Sequence, residues 1–193
     1  MAALAGEASA QKWEPLADKE SHTITARKNS AMYIVFIAGA TGYMGSRLAE
    51  ELLRRGHKPR QSTTIPRDRS EESVAAALAN KIQHFVYVSV AHPAPAMKAY
   101  IDVRKQCEEI IRKSGLNATI LRSWYVLGPG HYWPYVLKPF YWLARQIPVS
   151  RAGAERLALV TLPEMVAALV AGVESPANGI RIVEVPEIAA HRK

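Results

Sequence analysis

Apolar and polar positions along this chain fall into blocks whose period switches back and forth. Tyr33-Ile34-Val35-Phe36-Ile37-Ala38 is a continuous apolar run, the pattern of a strand buried on both faces of a parallel sheet. After a glycine-rich turn the period lengthens. Met44, Leu48, Leu52 and Leu53 recur near one helical face, and Gly56 stands where a C′ glycine belongs. Ser70-Glu71-Glu72-Ser73 opens a second helix through about Lys81, with acids in the first turn where the helix dipole favours them. Phe85-Val86-Tyr87-Val88-Ser89-Val90 is a second buried-strand run. A proline-containing loop, His92 to Pro95, leads to a helix from about Met97 to Ser114, with Ile101, Cys107, Ile110 and Ile111 inward and Gly115 as its stop. Ala118-Thr119-Ile120-Leu121-Arg122 reads as a third strand. Thr161-Leu162-Pro163-Glu164 is a capping box opening a helix through about Val173, and Ile180 to Val185 reads as a last strand. Strands alternating with helices predict an α/β fold with a mainly parallel sheet.

Residues 1–31 show no sustained period and read as a weakly ordered tail, which leaves 32–188 as a single domain. The total of 193 residues suits one domain with a real core, and 49% hydrophobic against 22% charged residues excludes a disordered chain. The single cysteine, Cys107, excludes a disulfide scaffold and a cysteine-based zinc site, and reads as a buried helix residue. No run of 18 apolar residues predicts a spanning helix, and no basic-then-apolar leader opens the chain. Glu7, Glu14, Asp18 and Glu20 argue against a transit peptide, so the expected location is a reducing compartment, the cytoplasm.

The net charge of +8 is unevenly placed. Residues 1–30 balance to zero. Residues 47–69 carry Arg47, Arg54, Arg55, Lys58, Arg60, Arg67 and Arg69 against three acids, and residues 131–151 carry Lys138, Arg145 and Arg151 with no acid. Such patches suit a phosphorylated ligand, an anionic lipid or a nucleic acid, or are plain solvated faces. No zinc finger or RNA-recognition signature supports nucleic acid.

The most specific feature is Gly39-x-x-Gly42-x-x-Gly45, set between a buried strand and a helix. A phosphate needs close backbone approach and free N–H donors. Glycines remove the Cβ atoms that would block the approach, and a helix N-terminus supplies the donors. The turn therefore points to dinucleotide binding through Gly39, Thr41, Gly42, Tyr43, Met44 and Gly45; a tight turn serving strand–helix packing is the alternative.

Gly39-Ala-Thr-Gly42-Tyr-Met-Gly45 resembles the fingerprint of the extended and atypical short-chain dehydrogenases/reductases, the group of NAD-dependent epimerases and NmrA-like proteins. Three further motifs follow in the family's order. Val86-Tyr87-Val88-Ser89 is similar to the strand ending in the family's catalytic Ser. Tyr100-Ile-Asp-Val-Arg104 falls where the family has Tyr-x-x-x-Lys, with Glu108 where a Glu commonly follows. Leu121-Arg122-Ser123-Trp124-Tyr125-Val126-Leu127-Gly128-Pro129-Gly130 resembles the Leu-Arg-Pro-x-x-Val-x-Gly-Pro-Gly segment. The resemblance covers roughly residues 32–188 and implies a Rossmann-like three-layer fold. It also implies hydride transfer between a nicotinamide cofactor and a small carbonyl or alcohol substrate, with a substrate-side segment at about 128–175. Tyr100 would be the acid/base, Arg104 its cation and Ser89 the orienting hydroxyl. Arg104 replaces the family's Lys, keeping the charge but presenting a planar fork.

The resemblance has one large gap. Only 28 residues separate Gly56 from Phe85, whereas one βαβ unit takes about 30 or more. The interval has room for one helix and at most one weak strand, within Gln61 to Ile65, so the sheet is expected to be reduced in strand number. The Tyr33–Ala38 strand is expected to present an open edge, a route to a homo-oligomer. An Asp or Glu about 20 residues past the glycines usually holds the ribose hydroxyls of NAD. Here Arg60-Gln61-Ser62-Thr63-Thr64-Ile65 offers none, and Arg60 and Arg67 would favour the 2′-phosphate of NADP. The aromatic stretch 132–143 lines a substrate pocket, makes an oligomer or membrane-surface contact, or is core. Three function classes remain: an NAD(P)-dependent oxidoreductase or epimerase-like enzyme, a relative that keeps the dinucleotide turn without turnover, and a basic protein binding nucleic acid or anionic lipid.

Overall fold

The structure, a computed structural model, describes residues 13–15, 31–62, 70–94, 97–128 and 157–191. The expectations for Arg67, Pro129, Gly130 and the stretch 132–143 lie outside the described residues. The elements run β1 (Trp13–Pro15), β2 (Ile34–Ile37), α1 (Tyr43–Arg54), β3 (Lys58–Ser62), α2 (Ser70–Ala79), β4 (Phe85–Val90), α3 (Lys98–Lys113) and β5 (Ala118–Ser123). They continue with β6 (Tyr125–Leu127), β7 (Leu159–Thr161), α4 (Leu162–Glu174), β8 (Ile180–Val183) and α5 (Val185–Ala190). Among the described residues no helix is long and apolar enough to cross a membrane.

The fold is α/β with mainly parallel pairing, and the sheet layer is split. One half has the order β1-β3-β2, the other β4-β5-β8, and a two-stranded parallel pair β6-β7 stands beside them. β2 runs parallel to β3 from Ile34↔Lys58 to Ile37↔Gln61, and β4 runs parallel to β5 from Phe85↔Ala118 to Val90↔Ser123. Three residues of the segment read as tail, Trp13–Pro15, pair antiparallel with β3. β3 is the weak strand of the shortened interval, but it begins at Lys58, nearer the α1 stop than the sequence suggested. Its composition, Lys-Pro-Arg-Gln-Ser, carries no strand signal; the return from α1 sets its place, as Lys58 N–H donates to Tyr33 O at 2.8 Å. Pro59 lies beyond the β1 register, so its missing N–H costs no ladder bond there.

Helices cover both faces. Ala118 and Ile120 of β5 pack with Val74, Ala77 and Ile111 of α2 and α3. Leu121, on the opposite face, packs with Met165, Ala168, Leu169 and Ile188 of α4 and α5. A further cluster joins Ile37 and α1 (Ala49, Leu52) to Leu162, Val166 and Val170 of α4. Two-sided burial describes β5, where Ala118 to Leu121 are all buried. The apolar runs of β2 and β4 were expected to be buried on both faces and are not: Ile34 is 55% exposed and Ala38 is exposed, and β4 is buried only at Ser89 and Val90. The Thr161 capping box forms in full: Thr161 Oγ1 accepts from Glu164 N–H, and the Glu164 carboxylate accepts from Thr161 N–H at 2.8 Å.

Candidate functional site

The glycine turn joins the C-terminal end of β2 to α1. Gly39 has φ +81°, open to glycine at no steric cost, and Gly42 N–H donates to Gly39 O at 2.9 Å. A Cβ on Gly45 would stand 2.1 Å from Gly39 O, so the third glycine is required for the helix to start against the strand. Gly42 is the N-cap of α1 with no side-chain cap, and the first turn holds no acid. The opening amides of α1 thus lack both a capping side chain and a repelling carboxylate, which suits an anion. Thr41 is exposed in the turn, while Tyr43 and Met44 begin the helix half-buried. The residues present fit a dinucleotide pyrophosphate at this turn.

A cavity of about 1380 Å³ opens beside the turn and collects most of the expected site. Gly39, Gly42, Tyr43, Met44 and Gly45 line it from one half of the sheet, and Ser89, Tyr100 and Arg104 from the other. Thr41 is outside this lining, and so is Arg60, which sits half-buried in the middle of β3 opposite Phe36.

Tyr100 and Arg104 stand one turn apart on α3 and meet. Arg104 Nε donates to Tyr100 Oη at 3.1 Å, and Arg104 Nη1 donates to Tyr87 Oη at 2.9 Å. The guanidinium carbon lies 5.1 Å from the Tyr100 ring centre and 5.8 Å from that of Tyr87. One cation therefore serves two phenols, one 43% exposed and one half-buried. Burial pushes the Tyr87 phenol up to about 12 despite the opposing guanidinium, so Tyr87 keeps its proton at neutral pH. The Arg104 pKa is raised: burial works against the cation, and the bonds to Tyr87 and Tyr100 outweigh it.

Ser89 is placed differently. It is 5% exposed, and its hydroxyl donates to Glu108 Oε1 at 2.6 Å. Glu108, 1% exposed, also receives Arg122 through Nε at 3.0 Å and Nη2 at 2.5 Å, and Arg122 Nη1 reaches Glu184 at 2.9 Å. Burial alone would raise the Glu108 carboxyl; the bonds from Arg122 and Ser89 outweigh it and hold it below the usual carboxylate range. An ionised carboxylate only accepts, so the one hydroxyl proton of Ser89 is committed to it. The motif positions pointed at Ser89, Glu108 and Arg122 separately. Their joining into one buried network depends on contacts 14 and 19 residues apart in sequence, which no local pattern signals. Among the described residues no group of His, Cys, Asp and Glu is placed to hold a metal ion.

No protein-family model and no curated protein sequence matches the chain. Solved structures do match. The enzyme WbmH of Bordetella bronchiseptica, solved in complex with NAD+, is similar at TM-score 0.53 and 21% identity over 78% of this chain and 75% of that one. A putative epimerase from Burkholderia cenocepacia matches at TM-score 0.51 and 16% identity, over 83% of this chain and 80% of the other. A nucleoside-diphosphate-sugar epimerase from Staphylococcus aureus matches at TM-score 0.50 and 13% identity, over 79% and 71%. At these identities the likeness is one of architecture: the chain has the Rossmann-like α/β fold of these structures, built among the described residues from few strands.

Proposed function

We propose that this chain binds a nicotinamide dinucleotide through the Gly39–Gly45 turn and presents Tyr100, with Arg104 as its cation, to a small carbonyl or alcohol substrate. The observation that carries the reading is the uncapped, acid-free start of α1 behind a turn whose third glycine admits no Cβ. A bound nicotinamide would supply or accept the hydride. Arg104 donates to the Tyr100 oxygen and so provides positive charge at the atom that would give or take a proton. NADP is the expected form, because Arg60-Gln61-Ser62-Thr63-Thr64-Ile65 lacks the acid that holds a free ribose hydroxyl; Arg60 stands in mid-strand outside the cavity lining, so the basic character of the interval, and not a placed guanidinium, supports the 2′-phosphate.

A second reading, dinucleotide binding without turnover, is favoured by Ser89. Its proton is held by Glu108, so it has none to donate to a substrate oxygen. Calorimetric titration of NADPH and NADH into the wild type and a Gly42→Arg variant tests the binding common to both. Gly42 has φ −78°, which any residue adopts, so the variant is expected to fold and lose binding. Preference for NADH removes the phosphate assignment, and no binding of either cofactor sinks both readings. Hydride transfer to a panel of small carbonyls, abolished by Tyr100→Phe with binding retained, separates the first from the second.

A further inference from the structure

Among the described residues the cavity is lined by three basic side chains, Lys81, His84 and Arg104, and by no carboxylate. The three are not equivalent. Lys81 is exposed, where water and salt screen its charge. His84 bonds Thr119 Oγ1 at 3.1 Å, and burial, with the Arg181 charge nearby, lowers its pKa below the ordinary value, so the ring is uncharged at neutral pH. Arg104 is half-buried and always charged. Arg55 and Arg122 are half-buried too, but each is neutralised by two carboxylates, Glu51 and Glu174 for the first, Glu108 and Glu184 for the second. Arg104 has two phenols in their place. Tyr87 keeps its proton, so it offers an oxygen and no negative charge. Among the described residues no acid pairs with Arg104, and its charge is left for a ligand to balance.

The donors left on Arg104 say what that ligand presents. A guanidinium carries five N–H groups in a planar fork. Nε is used on Tyr100 and Nη1 on Tyr87, while Nη2 bonds nothing among the described residues. Nη2 and Nε share one carbon, so an acceptor on Nη2 stands beside whatever group the Tyr100 oxygen touches. A carboxylate matches the fork and can take two parallel N–H bonds from it. The Lys that Arg104 replaces would be a point charge without that match. One guanidinium also balances the single charge of a carboxylate, whereas a phosphate group carries roughly −2. Val88, Val90, Val103 and Trp124 share the lining, so the remainder of the ligand is apolar. The Gly39–Gly45 turn lies on the other half of the sheet, which keeps the dinucleotide phosphates and this carboxylate apart.

We propose that Arg104 is the substrate-carboxylate site: Nη2 takes the carboxylate of a small, otherwise apolar α-oxo or β-oxo acid, or of the matching hydroxy acid, while Nε holds the Tyr100 oxygen at the carbonyl or alcohol. Calling the ligand a substrate rests on the proposed function. Capture of the carboxylate rests on Arg104 and needs no dinucleotide.

The test is calorimetric titration of the full, cofactor-free chain with two probes, trimethylpyruvate and its methyl ester, which share a carbonyl and an apolar body and differ in the carboxylate. The acid is expected to bind on the order of 10- to 100-fold more tightly than the ester. Arg104→Met should bring the acid down to the ester's affinity and leave the ester unchanged, Arg104→Lys should keep part of the preference, and Lys81→Met should keep all of it. In the wild type the side-chain N–H resonances of Arg104 should move with the acid and stay with the ester, a readout that does not depend on any variant folding. Equal affinities, no binding of either probe at millimolar concentration, or a preference that survives Arg104→Met or disappears in Lys81→Met overturns the proposal. So does inorganic phosphate that displaces the acid at equal concentration, which would mark a general anion site, or NADPH that competes with it, which would give the Nη2 edge to the cofactor. Arg104-dependent acid binding by a chain that binds neither dinucleotide upholds the carboxylate site and removes the proposed function alone.

Discussion

Removing Glu108 should cost more than any single contact it makes. Its carboxylate is 1% exposed and accepts from Ser89 at 2.6 Å, from Arg122 at 3.0 and 2.5 Å, and from Arg112 at 3.4 Å. Glu108→Leu leaves the Arg122 guanidinium to the half-exposed Glu184 and orphans the Ser89 hydroxyl. Breaking a buried pair from one side costs about 3–5 kcal/mol. At ~2–4 °C per kcal/mol for a chain of this size, the melting temperature should fall by roughly 6–20 °C. Arg122→Leu should cost at least as much, because it strands a carboxylate that is more deeply buried than its partner. Ser89→Ala should cost only about 1–2 kcal/mol, since Arg122 still neutralises Glu108. The Glu108→Leu/Arg122→Leu double variant leaves no unpaired charge in the pair and should fall short of the summed single effects by about 2–3 kcal/mol. Urea unfolding midpoints and m-values for the four variants and the wild type check this. Single effects below about 1 kcal/mol, or strict additivity of Glu108→Leu and Arg122→Leu, would refute a coupled buried unit.

Gly45→Ala places a Cβ 2.1 Å from the Gly39 carbonyl oxygen, a backbone atom that cannot rotate away. It should cost about 1–3 kcal/mol and weaken NADPH binding at least tenfold, read by melting temperature and calorimetry. Acid should destabilise in two parts. The hydrogen bond from Arg54 leads the causes that hold the Glu51 carboxyl at about 2 against desolvation, and Glu108 is also lowered. For groups lowered on folding, the contribution is full above the ordinary carboxylate range and is lost as pH falls through the folded value. Stability measured by urea titration should therefore drop from about pH 4.5 towards pH 2, and Glu108→Leu should flatten that slope while Glu51 keeps its share. Thr161→Ala should cost about 1 kcal/mol through the lost α4 cap, measured the same way.

What could be read from the sequence was decided by local pattern. β4 and the α4 capping box stand where their apolar run and Thr-x-x-Glu spacing put them, because a run of β-branched and aromatic residues and a helix cap both leave signatures within a few residues. The placement of β3 was missed because Lys58–Ser62 carries no apolar alternation and is a strand by virtue of its neighbours. β6 and β7 are three residues each, too short to show a period, and α5 hides behind the β8 run although Glu184 and Glu187 form a capping box there. Of the candidate site, the turn and the Tyr100–Arg104 pair were legible because each is a local motif, i to i+3 or i+4. The commitment of Ser89 was not, because it rests on a helix packing its Glu108 beneath a strand.

The shortened interval foretold missing strands, and it left open how a split sheet holds together. α4 answers that. Leu162, Val166 and Val170 recur every fourth residue and pack with α1 and Ile37, while Met165, Ala168 and Leu169 pack under β5 with α5. One helix thus spends two faces on two half-sheets, and a helix that serves two faces must be apolar over most of its circumference. Its single early acid, Glu164, is tolerated at 3% exposure because the cap uses it. Met44, Leu48 and Val126 pack against both clusters and tie them further. The two half-sheets are therefore fixed to a common helix layer rather than to each other. Close packing gives that layer little room to yield.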